Sequence, residues 1–259
     1  MDIFMVFPGV RHLRDEMGVC MTLIEGRDRA MLIDTGYGLH DIKADILRLT
    51  DKPLSVYLTH AHHDHALGAG CFDTVHLNEK DMEIYPFYTD EAHRKHVLNG
   101  AHGKGLAPDE ARFFGLSMAK ALPILTQTEE LGDMEVRILP CPGHTQGSTM
   151  FYIEKYHLLL TGDNWNPCTW LFFPEALGVR EYLHNMRCVQ KMDFTCCLCS
   201  HSEKLHDRAM LDAFLNGLTD DCLKAARPVS ITPYEAIDTC EAHPADGQIL
   251  VFDRQKISQ

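Results

Sequence analysis

A histidine-rich turn lies in the first quarter of this chain and reads Thr59-His60-Ala61-His62-His63-Asp64-His65. It follows the apolar run Leu54-Ser55-Val56-Tyr57-Leu58, which predicts a buried strand. Four metal-binding side chains therefore occupy positions i, i+2, i+4 and i+5 of a turn at a strand end. Imidazole and carboxylate groups are ligands of zinc, iron and manganese. The turn can direct its first two histidines at one point and its Asp-His pair at another, which indicates two metal ions and chemistry on an ester, amide or phosphate bond.

The composition indicates one globular α/β domain. The chain has 259 residues, 45% of them hydrophobic, so it can bury a sizeable core. Its net charge of −13 repels nucleic-acid phosphates and anionic membrane surfaces. The apolar runs are too short to cross a bilayer, and the first residues lack a signal-peptide pattern. We expect a cytoplasmic protein that acts on a small molecule, without nucleic acid or membrane as partner; the oligomeric state stays open.

Short apolar runs alternate with helical patterns, which is typical of the α/β class. The predicted strands are 3–7, 19–25, 30–33, 54–59, 74–77, 135–139, 149–154, 157–160, 195–199 and 249–252. The predicted helices are 39–49, 79–85, 90–98, 108–122, 180–192 and 203–218. We expect residues 1–259 to form a single domain with a helical insertion at about 78–122.

A weak internal repeat relates two parts of the chain. In the first part a strand ends in Asp34, a helix follows, and the next strand ends at His60. In the second part a strand ends in Asp163, a helix follows, and a cysteine-rich strand ends at His201. Ligand sites of α/β proteins commonly lie at such strand ends. The repeat therefore predicts that these four residues lie at one edge of a layered sheet structure.

A third ligand-bearing turn, Pro140-Cys141-Pro142-Gly143-His144-Thr145-Gln146-Gly147-Ser148, follows the strand predicted at 135–139. Proline and glycine around His144 restrict the loop, which suits a ligand held in a fixed position. The candidate ligands are five histidines and two aspartates: His60, His62, Asp64, His65, His144, Asp163 and His201. The pattern assigns no metal to His63, and we interpret His93 and His96 as surface histidines.

With these motifs in place, the chain resembles the metallo-β-lactamase-fold superfamily, in particular its hydrolase branch with glyoxalase II and the lactonases. The resemblance runs from about residue 19 to residue 201 through five motifs in the family's order. They are Asp34-Thr35-Gly36, His60-Ala61-His62-His63-Asp64-His65, Pro142-Gly143-His144-Thr145, Thr161-Gly162-Asp163 and Ser200-His201.

The resemblance implies a four-layer αββα sandwich with a dinuclear site at one edge. It assigns a first metal to His60, His62 and His144, and a second metal to Asp64, His65 and His201, with Asp163 bridging both. Asp34 then supports the site without binding metal, as outer partners of metal ligands do. The two divalent ions are expected to be zinc, with iron or manganese as alternatives.

The expected reaction is hydrolysis of an ester, thioester or lactone carbonyl in a small molecule. Hydroxide formed from a water shared by the metals attacks the carbonyl, and Asp64 handles a proton. Trp165, Trp170, Phe172 and Phe173 follow the bridging aspartate, and the sequence leaves open whether they line the pocket or the core. Two other functions also remain open: an iron-dependent oxidoreductase resembling persulfide dioxygenases, and a phosphodiesterase or nuclease of the same fold.

Overall fold

The computed structural model describes residues 1–257. Within that range the strands are β1 (Asp2–Phe7), β2 (Val10–Arg14), β3 (Cys20–Glu25), β4 (Ala30–Ile33), β5 (Leu54–Tyr57), β6 (Thr74–Leu77), β7 (Lys120–Pro123), β8 (Thr128–Glu130), β9 (Glu135–Pro140), β10 (Thr149–Ile153), β11 (Leu158–Leu160), β12 (Cys168–Leu171), β13 (Cys196–Leu198), β14 (His206–Asp207), β15 (Arg227–Pro228), β16 (Thr239–Ala245) and β17 (Gln248–Asp253).

The α-helices are α1 (Ile42–Leu47), α2 (His63–Ala66), α3 (Tyr85–Tyr88), α4 (Glu91–Gly103), α5 (Glu110–Gly115), α6 (Val179–Val189), α7 (Arg208–Gly217) and α8 (Asp220–Lys224). Short 3-10 helices occupy Leu67–Cys71, Glu79–Asp81, Glu154–Tyr156 and Arg254–Lys256. Across residues 1–257, no helix has the length and apolar character needed to span a membrane.

The first sheet carries the histidine-rich turn. Its strands lie in the order β1-β2-β3-β4-β5-β6-β7, antiparallel up to β4 and parallel from there on. Because β4 and β5 are parallel, with Ile33 opposite Tyr57, their carboxyl ends lie at the same edge. Asp34 follows β4 directly and His60 follows β5, so both side chains start from this edge.

The second sheet repeats this plan. Its strands lie in the order β14-β13-β11-β10-β9-β8, and the only parallel pair among these described strands is β11 with β13. Leu160 lies opposite Leu198, so Asp163 and His201 follow neighbouring carboxyl ends. A smaller third sheet has the order β12-β17-β16-β15.

Apolar clusters join the layers. Ile24 and Met31 of the first sheet pack with Val136 and Phe151 of the second sheet. On the outer face of the first sheet, α1 packs against β3 and β4. The outer face of the second sheet is covered by α6 and α7, in a cluster that also includes the third sheet. Helices, sheet, sheet and helices thus form four layers, which confirms the predicted αββα fold.

Several predicted helices differ from the observed ones. The predictions 39–49 and 180–192 were longer than α1 and α6, and 79–85 covers a 3-10 helix and only the first residue of α3. The predictions 108–122 and 203–218 were also too long. Instead of a helix over 108–122, α5 covers only Glu110–Gly115, and Lys120–Pro123 forms β7, paired in parallel with β6. Pairing at the sheet edge outweighs the local helical pattern there. The helix predicted from residue 203 begins at Arg208, because Asp207 caps it by accepting a hydrogen bond from the Ala209 amide at 2.7 Å. Besides β7, the strands β2, β8, β12, β14, β15 and β16 were not predicted, since their polar residues or small size hide the alternation, and the short helix α8 was missed as well.

Candidate metal centre

Three buried histidines converge at the edge shared by the two sheets. His60 and His62 come from the turn after β5, and His144 comes from the turn after β9. One ring nitrogen from each of them lies within 4.8 Å of the others. His62 ends the turn in an extended conformation and α2 starts at the next residue, so the following side chains leave in another direction. The structure therefore brings together the three side chains that the resemblance assigns to a first metal.

Four further side chains form a second group beside the first: Asp64, His65, Asp163 and His201. His201 Nε2 lies 3.0 Å from Asp163 Oδ2 and 3.5 Å from Asp64 Oδ2. Asp163 Oδ2 also lies 3.7 Å from His144 Nε2, which belongs to the first group. Asp163 thus lies between the two groups, in the position that the resemblance implies for a bridging ligand.

The outer nitrogen of each buried ring has a partner that fixes which nitrogen faces inward. His62 Nε2 donates a hydrogen bond to Glu175 Oε1 at 2.6 Å, and His144 Nδ1 donates to the Trp170 carbonyl at 2.6 Å. His65 Nδ1 donates to Asp34 Oδ2 at 2.9 Å. His60 Nδ1 lies 2.9 Å from the Thr59 hydroxyl. The lone pairs of His62 Nδ1 and of the other three Nε2 atoms therefore face the centre, as in metal ligands.

The inward atoms lack the partners that buried polar atoms normally have. His60 Nε2, His65 Nε2 and Asp163 Oδ1 are buried and accept no hydrogen bond within residues 1–257. His62 Nδ1 and His144 Nε2 lie 2.8 Å apart, although the outer hydrogen bonds make both of them acceptors. Such unpaired lone pairs cost free energy unless a cation lies between them. The seven side chains therefore fit two divalent metal ions.

The electrostatics divide the two groups. Burial, reinforced by the neighbouring histidines, holds the pKa of His60 well below its ordinary value and lowers the pKa of His144 to about 4. These imidazoles are neutral, which is the metal-binding form. Burial alone would also lower the pKa of His65, but Asp64 and Asp163 outweigh it and raise that pKa. The first group thus consists of neutral imidazoles, whereas the second group contains the two carboxylates, Asp64 and Asp163.

Asp34 lies outside both groups, in the supporting position that the resemblance implies. Its carboxylate accepts hydrogen bonds from the Thr59 amide at 2.7 Å, from the Thr59 hydroxyl and from His65 Nδ1. Its backbone has a φ of 63°, a left-handed conformation that turns the chain sharply after β4. One residue thus orients a histidine in the second group directly and His60 in the first group through Thr59.

Asp81 joins the two ligand turns and was missed by the sequence analysis. This fully buried carboxylate accepts hydrogen bonds from the Ala61 amide at 3.1 Å, the Gly147 amide at 2.7 Å and the Thr145 hydroxyl at 2.7 Å. A Cβ atom at position 147 would lie 2.5 Å from the Asp81 carboxylate, so glycine is needed there. No local pattern around residue 81 indicates this role, because all three partners are distant in sequence.

Glu175 and Asn164 were missed as well. Glu175 accepts hydrogen bonds from His62 Nε2 and from the Tyr88 hydroxyl. Burial by itself would raise the pKa of Glu175, but the hydrogen bond and electrostatic attraction of His62, together with the hydrogen bond from Tyr88, outweigh it and lower the pKa to about 2. Asn164 Oδ1 accepts a hydrogen bond from the His144 amide at 2.8 Å. In the sequence, only the position of Asn164 directly after the candidate ligand Asp163 indicates that Asn164 lies near the site.

A cavity of about 540 Å³ opens onto the centre and contains His62, Asp64, Asp163 and His201 in its lining. Trp170 and Phe173 form part of its wall. The neighbouring aromatic residues belong to the core: Trp165 and Phe172 are fully buried, and the Trp165 indole donates a hydrogen bond to Gln248. The four aromatic residues are thus divided between pocket and core.

His63 belongs to neither ligand group, as the sequence analysis predicted. Its ring lies among Tyr37, Tyr88, His93 and His96, with centroid distances of 5.6 Å to His93 and 6.1 Å to His96. Burial lowers the pKa of His63 to about 4. His93 Nδ1 lies 2.9 Å from Asp90, while His96 lines the cavity together with His63. His96 is exposed and His93 is half-buried, in keeping with their interpretation as surface histidines, and His96 also lies at the rim of the cavity.

Comparisons with known proteins agree with this geometry. The family model described as the metallo-beta-lactamase superfamily matches residues 14–184. The acyl-coenzyme A thioesterase MBLAC2 of Homo sapiens is 25% identical over 159 residues, which cover 54% of this chain and 56% of the relative. The probable metallo-hydrolase YqgX of Bacillus subtilis is 27% identical over 139 residues, 52% of this chain and 61% of the relative. The matched part thus spans little more than half of each curated relative.

Among solved structures, a beta-lactamase domain protein from Burkholderia ambifaria superposes with a TM-score of 0.60 at 19% identity, over 97% of this chain and 93% of that chain. That likeness supports the fold. The family match covers more than half of the chain and includes Asp34, the two ligand turns that carry His60–His65 and His144, and Asp163. The chain therefore belongs to the metallo-beta-lactamase superfamily.

Proposed function

We propose that this chain is a hydrolase that holds two divalent metal ions and cleaves an ester, thioester or lactone of a small molecule. The position of Asp163 carries the proposal. One of its oxygens lies 3.0 Å from a nitrogen of the second ligand group and 3.7 Å from a nitrogen of the first, and the other oxygen is buried without a partner among residues 1–257. A bridging carboxylate of this kind is a property of two-metal hydrolytic sites.

Zinc is the metal that the donor set favours, with iron and manganese as alternatives. The seven side chains offer imidazole nitrogens and carboxylate oxygens, and no cysteine belongs to either group within the described residues. When bound, the two ions would supply a water that ionises near neutral pH and a Lewis acid for the carbonyl oxygen.

The protein side chains supply positioning and proton transfer. Glu175, Trp170 and Asp34 hold the ligand rings through their outer nitrogens, so the inward lone pairs are oriented before any ion binds. Asp64 lines the cavity, and its Oδ2 lies 3.4 Å from His65 and 3.5 Å from His201. These histidines hold the pKa of Asp64 well below its ordinary value although burial opposes them. The carboxylate of Asp64 is therefore ionised, which is the form that binds a metal ion. Its place in the cavity lining also supports the proposed role of Asp64 in handling a proton of the reaction.

Two observations favour a carboxylic ester or thioester over a phosphodiester. No lysine or arginine lines the cavity among the described residues, and the chain as a whole carries a charge of −13. A nucleic-acid backbone requires cationic contacts. The thioesterase activity named for the human relative supports the thioester as one member of the substrate class, at 25% identity over part of both chains.

The test combines metal analysis with a substrate panel. Protein purified without added metal is assayed with aryl esters, thioesters, lactones and phosphodiesters. We expect about two metal ions per chain and hydrolysis of a carboxylic ester, thioester or lactone. Asp163→Ala should lose both metal and turnover, whereas the exposed control Asp193→Ala should keep both. Bound iron with oxygen uptake and no hydrolysis, or cleavage of phosphodiesters alone, would overturn the proposal.

A further inference from the structure

We infer that the cavity accepts an uncharged, apolar acyl group and rejects an acyl group that ends in a carboxylate. This inference rests on the proposed function and narrows its substrate class. Three features of the 540 Å³ cavity support it: an aromatic wall, hydrogen-bond donors that carry no charge, and a lining without lysine or arginine among the described residues.

The wall is aromatic and reaches the metal centre. The Phe173 ring lies 4.6 Å from His62 and 5.4 Å from His144, centroid to centroid. Trp170 and Tyr234 extend the same wall, at 6.2 Å and 5.3 Å from Phe173. A carbonyl carbon at the centre would therefore place its acyl chain against aromatic rings, which favour apolar groups.

The free polar groups of the cavity are neutral donors. Asn166 is almost fully buried, and its Oδ1 accepts a hydrogen bond from the Cys168 amide at 2.9 Å. That bond fixes the amide, and Asn166 Nδ2 has no protein partner within residues 1–257. The hydroxyl groups of Tyr37 and Tyr234 also line the cavity without a partner in this range. These groups can donate hydrogen bonds to a carbonyl oxygen without neutralising a charge.

No lysine or arginine is available to pair with an anionic acyl end. Among the described residues, the cavity lining contains neither of them. Lys256 lies beside the wall, but its ammonium group donates hydrogen bonds to the carbonyls of Phe173, Pro174 and Ala176 at 2.8, 2.8 and 3.0 Å. An acyl carboxylate packed against the aromatic wall would therefore be desolvated without a lysine or arginine partner, which disfavours its binding.

The test uses two acyl groups of similar size. S-pentanoyl- and S-succinyl-N-acetylcysteamine, and the corresponding aryl esters, differ mainly in the terminal charge. We expect kcat/KM to be at least ~100-fold higher for the pentanoyl member of each pair. Equal values, or a preference for succinyl, would overturn the inference while leaving the proposed hydrolase intact.

Binding provides a readout that does not depend on turnover. The chain has two tryptophans, Trp170 in the cavity wall and Trp165 in the core, so a ligand in the cavity should change the fluorescence of Trp170. If none of the compounds is hydrolysed, the proposed function fails, and the fluorescence titration still decides the inference. Tighter binding of the pentanoyl compound by at least ~10-fold supports it, and equal or weaker binding overturns it.

A matched pair of variants tests whether the aromatic wall causes the preference for the pentanoyl over the succinyl group. Phe173→Leu removes part of the wall, whereas Phe172→Leu changes the adjacent ring, which lies in the core. We expect Phe173→Leu to lower the pentanoyl preference several-fold and Phe172→Leu to preserve it. Asn166→Asp keeps an acceptor for the Cys168 amide but removes the Nδ2 donor, and should lower kcat/KM for the pentanoyl compound by ~10-fold or more. Unchanged values for both Phe173→Leu and Asn166→Asp would overturn the assignment.

Discussion

Glu175 Oε1 accepts a hydrogen bond from His62 Nε2 at 2.6 Å, across 113 positions of sequence. The same carboxylate accepts a hydrogen bond from the Tyr88 hydroxyl of α3. A segment outside the five motifs therefore fixes the orientation of a candidate metal ligand. Such outer contacts are worth about 10- to 100-fold in metal affinity in well-studied sites.

Glu175→Gln should weaken zinc binding by ~10-fold or more, because an amide is a poorer acceptor for the His62 ring and carries no charge. Competition with a chromophoric chelator measures this affinity without any substrate. Glu91→Gln is the control, since this glutamate lies exposed on α4. Equal zinc affinity in all three proteins would show that Glu175 does not position His62.

Asp34→Asn should also weaken zinc binding, by a similar ~10- to 100-fold. Asparagine tolerates the left-handed backbone at this position, so the variant tests the carboxylate and not the turn. The change removes the negative charge that faces His65 Nδ1 and Thr59. The measurement is zinc affinity together with the circular dichroism of the metal-free protein, which should match that of the wild type. Retained affinity would exclude a supporting role for Asp34.

Asp81→Ala should destabilise the protein by about 2–5 kcal/mol, because it leaves two backbone amides and one hydroxyl buried without an acceptor. Urea unfolding in the presence of a chelator measures the loss apart from any contribution of metal. The exposed Asp221→Ala is the control and should change the unfolding free energy little. A loss below ~1 kcal/mol for Asp81→Ala would mean that water replaces the carboxylate.

His12 should make stability depend on pH. Burial is the main cause that lowers its pKa to about 4, and the ring lies between the Thr22 hydroxyl and the Ser202 carbonyl. The unfolded chain takes up this proton near pH 6.5, so between pH 6.5 and 4 the unfolded state binds more protons than the folded state. Stability is therefore complete above pH 6.5 and falls by about 3 kcal/mol as the pH decreases to 4.

The measurement is the urea midpoint of the chelated protein at several pH values from 7.5 to 4.5. His12→Gln removes the titrating group, so the curve of this variant should fall less steeply with decreasing pH than that of the wild type. Parallel curves would show that the ring does not remain neutral in the folded protein.

Much of this molecule was predicted from local sequence. The α/β class and the αββα sandwich were confirmed, and the seven candidate ligands all lie in the two groups at the sheet edge. The reason is that the ligands lie in short turns after strands β5, β9, β11 and β13. The parallel pair β11–β13 places Asp163 and His201 side by side, and the packing of the two sheets brings all these turns to one edge. A short motif next to a recognisable strand therefore predicts both the ligand residue and its location at the sheet edge.

Sequence patterns did not predict the residues that hold the ligands in place. Asp81 and Glu175 have no characteristic neighbours, and their partners lie between 20 and 113 positions away. Nor did the sequence separate Trp170 and Phe173 from Trp165 and Phe172, since all four are aromatic and close together. By itself the sequence determined the family, the layers and the candidate metal ligands. The tertiary structure alone decided which carboxylates orient those ligands and which rings face the cavity, because these depend on how distant segments pack.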